Sequence, residues 1–321
     1  MSIRSIALAI AALLFSSAAL AQGPANKPIK LILPYSAGGM IDAVPRIIAD
    51  KLMQTYGQQI IIEARPGANG NIATEYVMRA APDGYTWLIS ATAMAANPWL
   101  YAGRLKWDPI RDFSCIAALV WVPTVFAVPA SVPADNLRDF VAYAKAHPGL
   151  PFGNPSTGSS YHLAAVLFMQ VAGIEMNAIG YKGVSQALPD LLSGELKFTP
   201  TASSLLAAHV KSGKIKVLAA VSKTRLKDLP NVPTLTEEGY AEATVVPWYM
   251  FLTGSGAPKE LVARFNTQIN NVLASPDVIE RLENIGGYAI PGMKPAEIQA
   301  MLKSDYERWG QVIRRAGLKV E

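Results

Sequence analysis

The chain has 321 residues, 51% apolar and 17% charged, with 29 Lys+Arg against 24 Asp+Glu and a formal net charge of +5. The balance is mildly basic and the cations are scattered, which favours solubility and attraction to anionic solutes and speaks against a nucleic-acid surface. The one cysteine, Cys115, rules out an intramolecular disulfide and, beside Ile116 and Ala117, reads as a buried apolar residue, so the core must hold without a crosslink.

Taken in order, the chain opens with Arg4, an apolar run from Ile6 to Phe15, and Ala19-Leu20-Ala21 before Gln22. This is the pattern of a secretory signal peptide spanning residues 1–21. Its removal would take 21 of 321 residues and leave 300, enough for two domains, and would lower the charge to +4 by loss of Arg4. No later stretch approaches the roughly 20 apolar residues a transmembrane helix needs, so the expectation is a soluble exported protein.

From Lys27 onward strands alternate with helices, the mark of α/β domains with a largely parallel sheet. Leu31-Ile32-Leu33 is a short buried strand that Pro34 ends, and Ser36-Ala37-Gly38-Gly39 follows as a small-residue loop. Asp42 is the expected N-cap of the next helix, with Val44, Ile47, Ile48 and Leu52 at helical spacing, Pro45 in its first turn and Gly57 closing it. Two readings of the loop stand at this point: an ordinary tight turn, or an anion seat made by glycines at a helix N-terminus. Ile60 to Glu63 is the second strand, Arg65 to Asn71 a turn-rich segment, and Tyr85 to Ile89 the third strand, which opens into the small polar loop Ser90 to Asn97. In open α/β sheets that carboxyl edge is where ligands bind.

Asp112 to Val128 carries two apolar runs around Pro123, and Trp248 to Leu252 another; both read as strands that cross between domains. Between them, Asn136 to Ala146 is an amphipathic helix, Gly153 to Leu163 a second strand–glycine–helix loop, and Ser160 to Ala172 its helix. Ile179 to Gly183, Leu196 to Thr199 and Ile215 to Val221 are strands, and Ala187 to Leu192 is a short helix. Helices over Pro258–Leu273, Pro276–Asn284 and Pro295–Ala316 form a tail expected to pack on the first domain.

No motif locates a nucleophile and a base. There is no G-x-S-x-G elbow, no dinucleotide or Walker glycine motif, and His147, His162 and His209 fall in no metal-ligand spacing. Ser160 and His162 imitate a Ser/His pair, but residues i and i+2 face apart on a helix, and a helix-start histidine bonding a neighbouring loop is the plainer account. The chain does offer two glycine-rich helix N-termini, each with unpaired N–H groups and the positive end of a helix dipole, which suits binding of a solute with anionic groups and not its turnover.

The stretches Pro34 to Asp42, Glu63 to Ile72, Ala81 to Thr86, Tyr181-Lys182-Gly183 and Asp228 to Thr234, with Gly153 to Leu163 between them, resemble in order and spacing the landmarks of the Bug proteins, the periplasmic binding components of tripartite tricarboxylate transporters (TctC-like). The resemblance spans the whole mature chain. It implies a type II periplasmic binding protein: two α/β lobes with a central cleft, joined by two crossing strands, closing on a ligand by hinge motion. The implied boundaries are residues 22–124 and 246–321 for lobe 1 and 125–245 for lobe 2.

Carried onto this chain, the resemblance implies a first-lobe seat from Tyr35, Ser36, Gly38, Gly39 and Thr92 and a second-lobe seat from Ser156, Thr157, Ser159 and His162, with Tyr181 in a shared landmark. Many members have phenylalanine at the position of Tyr35 and small residues at those of Met40 and Ile41. Several carry an aspartate where Thr201 stands, and its absence argues against an amine-bearing ligand. Asp42 can serve as cap or contact, and Met40, Met94 and Trp248 as an apolar cleft lining or as ordinary packing. The expected protein is a periplasmic monomer without cofactor or metal and without catalysis, binding a di- or tricarboxylate or an aromatic carboxylate and delivering it to a tripartite transporter. Presentation to a sensor kinase, an enzyme on this scaffold, and an amino acid or neutral ligand are the alternatives.

Overall fold

The computed structural model describes residues 27–319 apart from Ala37, Pro155, Ser156, Lys182 and Gly183. The expected signal peptide, Ser156 and part of the Tyr181 landmark therefore lie outside the described residues.

The first lobe is built on a six-stranded sheet. Its strands are β1 (Ile29–Leu33), β2 (Ile60–Ala64), β3 (Thr86–Ser90), β4 (Phe113–Trp121), β10 (Trp248–Gly254) and β11 (Tyr288–Ala289), in the order β11-β4-β10-β3-β1-β2. Side chains alternate along a strand, so β1 feeds two layers: Ile29, Leu31 and Leu33 pack with helix α1 (Met40–Tyr56), while Ile32 packs on the opposite face. Helices α2 (Asn71–Met78) and α3 (Ala93–Leu100) complete the first half of this lobe.

In this sheet the expectation of largely parallel strands holds only for β1, β2 and β3. β10 runs antiparallel to both β3 and β4. The reason is the route of the chain: it returns from the second lobe at the carboxyl edge, where Met250 pairs with Ser90 and Trp248 with Trp121, and can only run back down the sheet.

The second lobe carries β5 (Thr124–Pro129), β6 (Leu150–Asn154), β7 (Met176–Gly180), β8 (Thr199–Thr201) and β9 (Ile215–Val221). β8-β5-β9 form one ladder and β6-β7 another, joined where Phe152 bridges Phe198 and the Gly153 N–H donates to the Phe198 carbonyl at 3.0 Å. Helices α4 (Leu137–Ala146), α5 (Ser160–Ala172), α6 (Val184–Ser193) and α7 (Ala207–Lys211) flank them. The chain enters this lobe through Val122-Pro123, between β4 and β5, and leaves after β9.

The helical tail is as expected in extent: α8 (Lys259–Leu273), α9 (Pro276–Asn284) and α10 (Pro295–Ala316). It packs on the first sheet and α1, but α10 also reaches the second lobe, where the Gln170 side-chain amide on α5 donates to the Val312 carbonyl at 3.0 Å.

Two local expectations need correction. Asp42 is not the N-cap of α1; Gly39 is, and Asp42 is the third helical residue, so Pro45 lies beyond the first turn. An aspartate satisfies a helix start from either position, because its carboxylate also favours the positive end from inside the first turn. The segment Ser90 to Asn97 is not a loop throughout, since α3 begins at Ala93. Its residues are buried on nearly every side, and such a helix shows no amphipathic period.

Candidate functional site

The carboxyl edge of the first sheet brings together three segments. After β1 come Tyr35, Ser36 and the glycines, with Ser36, Gly38 and Gly39 exposed. Gly38 has φ +106°, which favours glycine, whereas Gly39 has φ −109° in extended backbone; a Cβ at either would meet nothing within 4 Å. The space beside this loop is open. Its helix N-terminus is nevertheless partly compensated from within: Asp42 Oδ2 accepts from the Gly38 N–H at 3.2 Å, and Oδ1 accepts from Arg46 Nε at 2.8 Å.

The second segment is the turn before α2. Gly67, Ala68, Asn69 and Gly70 all have positive φ, and Ala68 (48°) and Asn69 (52°) are the non-glycine cases among the described residues. Backbone in this region is strained and persists where surroundings hold it. Here a side-chain network does so: Asn69 Nδ2 donates to Asn97 Oδ1 at 2.8 Å, and Asn97 Nδ2 donates to the Asn69 carbonyl at 2.9 Å and to Asn71 Oδ1 at 2.7 Å. The Tyr35 hydroxyl donates to Asn69 Oδ1 at 3.3 Å.

The third segment is the end of β3. Thr92 is buried, and its hydroxyl has no hydrogen-bond partner among the described residues. A buried hydroxyl left without a partner asks for one, from water or a ligand.

The second lobe faces this edge with the loop before α5. Ser159 caps the helix, its Oγ accepting from the His162 N–H at 3.2 Å, and His162 Nδ1 accepts from the Gly158 N–H at 3.1 Å. Burial beside the Phe152 ring drives the imidazole down to about 4, so His162 is neutral. No hydrogen bond among the described residues joins the hydroxyl of Ser159 or Ser160 to the imidazole, so the Ser160/His162 pair has no nucleophile–base geometry; His162 holds its loop. Thr157 is exposed on the same loop.

The two lobes touch at this loop. Gly158 has φ +80°, and a Cβ there would overlap Leu100 Cδ1 of α3 and lie 3.3 Å from Asn69 Nδ2. Burial pushes the hydroxyls of Tyr35 and Tyr161 up to about 12, and burial, then the Tyr161 and Tyr35 hydroxyls, raises that of Tyr249. All three are protonated donors at neutral pH. At the other side of the cleft Met40 Cε and Ser204 Oγ flank Gly286, 3.4 and 3.6 Å from where its Cβ would stand. Lys227 of the second lobe pairs with Glu283 of the first at 2.6 Å.

The remaining sequence candidates lie elsewhere or are committed. Met94 and Trp248 take the packing role: both are in the core against α10, and the Trp248 indole N–H donates to Asp305 Oδ2 at 2.6 Å. The Tyr181 hydroxyl donates to Asp190 at 2.6 Å, and Thr201 is buried in β8 opposite Val125. Asn69, Asn97, Tyr161 and Tyr249 were not legible as site residues. For Tyr249 the strand period held the clue, since it points to the opposite face from Trp248.

Two α/β lobes, joined by two crossing segments and meeting where Gly158 approaches Leu100 and Asn69, have the architecture of a two-lobed binding protein. The comparisons place it further. The chain belongs to the tripartite tricarboxylate transporter receptor family, whose model matches residues 44–318. It is 30% identical over 297 residues to protein BugT of Bordetella pertussis, covering 92% of this chain and 91% of that one. Among solved structures, Rpa4515 of R. palustris with adipate superposes with a TM-score of 0.79 at 31% identity, over 91% of this chain and 98% of that one. MatC of Rhodopseudomonas palustris with bound malate superposes with a TM-score of 0.76 at 25% identity, over 89% and 98%. Family and fold are those of periplasmic solute-binding proteins. Among the described residues no helix is long and apolar enough to cross a membrane.

Proposed function

We propose that the chain, exported and freed of residues 1–21, captures a small organic di- or tricarboxylate or aromatic carboxylate between its lobes in the periplasm and delivers it to a tripartite transporter. The lobes are taken as residues 22–124 with 246–321, and 125–245. The observation that carries the reading is the approach of Gly158 to Leu100 and Asn69, which brings the second-lobe loop against the Tyr35–Asn69–Asn97 network.

Carboxylates lose much solvation on enclosure, and hydroxyl, amide and backbone donors can replace it without an arginine. Tyr35, Thr92, Tyr161 and Tyr249 supply such donors, with Ser36, Gly39 and Thr157 at the mouth. The adipate of Rpa4515 and the malate of MatC are both dicarboxylates, which supports the class. Binding at roughly micromolar Kd, about −8 kcal/mol, is expected. Calorimetry against adipate, malate, citrate and benzoate tests this; heat with sugars or amines and none with any carboxylate would overturn it.

A further inference from the structure

We propose that the groove between the end of α3 and the carboxyl end of α10 docks an acidic, partly apolar periplasmic segment of the membrane-embedded transporter subunit, and that it does so in register with lobe closure. The inference rests on the delivery reading above and names the surface that delivery would use.

The groove has a volume of about 690 Å³, with half-exposed Trp99 and Leu318 forming its apolar floor over buried Leu100 and Ile313, and a rim of Arg104, Arg314 and Lys319. The ionisable residues that line it, Arg104, Arg314 and Lys319, are all cations. Trp99 is fixed as floor, its indole N–H donating to the Tyr306 carbonyl at 2.8 Å while the Arg314 guanidinium sits 4.7 Å above its ring. The N–H groups of Gly317 and Leu318 cap the carbonyls of Arg314 and Ile313, so the helix end presents few bare acceptors to repel a carboxylate. Apolar floor with a single-sign rim is the footprint of an amphipathic acidic segment, steered by charge and held by burial. The rim cations come from two separate elements, which suits an extended chain better than a compact ion.

Both walls also touch the second lobe. Leu100 is the residue Gly158 packs against, and Val312, one residue before the floor, accepts from Gln170 of α5. A change in lobe position moves both contacts, so the groove's shape is tied to whether the cleft is closed. A surface that both attracts an acidic segment and differs between open and closed forms lets a transporter distinguish loaded from empty protein.

The test uses the full-length protein co-expressed with its membrane subunits and carrying the photo-crosslinker p-benzoylphenylalanine at Ala102, an exposed groove residue. Irradiation with and without adipate is expected to give a crosslink that mass spectrometry maps to an acidic periplasmic stretch of a membrane subunit, at least fivefold stronger with ligand. Arg314→Glu with Lys319→Glu is expected to cut uptake at least tenfold while the calorimetric affinity for adipate stays within twofold. Ala102→Trp fills the groove without altering charge and should act alike, which covers poor folding of the charge-reversed variant. Crosslinks to lipid or to a second copy of this chain, or unchanged uptake in both variants, overturn the proposal. Absence of any carboxylate binding would sink the ligand reading alone, because the crosslink is scored without ligand as well.

Discussion

The two glycine loops answer the same structural need with different chemistry. In each, a strand ends, a glycine with positive φ follows, and the side chain four residues on accepts that glycine's N–H: Asp42 for Gly38 at 3.2 Å, His162 for Gly158 at 3.1 Å. In the first lobe the acceptor is a carboxylate paired with Arg46, so the positive end of α1 already has its own anion. In the second lobe the acceptor is a buried neutral imidazole, and the positive end of α5 keeps its field. Two loops alike in sequence pattern are therefore unequal as anion seats. The second lobe offers the stronger electrostatic end, and the first offers hydroxyl and amide donors around Asn69.

Gly158→Val separates the two loops most strongly. Its Cβ would overlap Leu100, and φ +80° strains any side chain, so the lobes cannot meet as they do here. Ligand affinity should fall about a thousandfold, about 4 kcal/mol, by calorimetry. Adding Leu100→Ala should return part of it, whereas the same loss with and without that second change would mean that the contact is irrelevant to closure. Next in size is the pH response of His162. Its folded pKa of about 4 lies below the ordinary value of 6.5, so the unfolded chain binds the proton more readily. Its contribution is complete above the unfolded value and is lost as pH falls from 6.5 toward 4, to about 2–3 kcal/mol. Denaturant unfolding from pH 7 to 4.5 should show that slope, and His162→Gln should flatten it; an equal slope in both proteins would assign the acid sensitivity elsewhere.

Periodicity carries the fold far and the site less far. The spans of α5, α8, α9 and α10 are legible because apolar residues recur at helical spacing and proline or glycine stands near the ends. The start of α1 is not, because a carboxylate serves a helix N-terminus as cap or from the third residue, and only the backbone distinguishes them. Nor is the pairing of Asn69 with Asn97, which joins a turn to a helix 28 residues away through side chains alone. Of the two readings of Trp248 the packing one holds, and Tyr249, one residue on, lies on the other face of the sheet.

Two smaller effects concern the first-lobe loop. Gly39 sits in extended backbone with open space where its Cβ would be, so Gly39→Val should leave the melting temperature within a degree or two while filling the mouth. About a tenfold loss of carboxylate affinity is expected, and unchanged affinity would remove this loop from the site. The smallest change asks whether Asp42 competes with the ligand. Asp42→Asn keeps an oxygen to accept the Gly38 N–H but removes the charge and the Arg46 pair, half exposed and worth under about 1 kcal/mol. With its own anion gone, the α1 N-terminus and Arg46 together become more attractive to an anionic ligand. Affinity for a dicarboxylate should rise two- to fivefold at low salt, and the gain should shrink as ionic strength screens it. A fall in affinity would mean that Asp42 holds the loop in its binding shape and that shape outweighs charge at this seat. A rise would show that the first lobe gives up anion affinity to keep its loop ordered, and that the second lobe supplies what the first has given up.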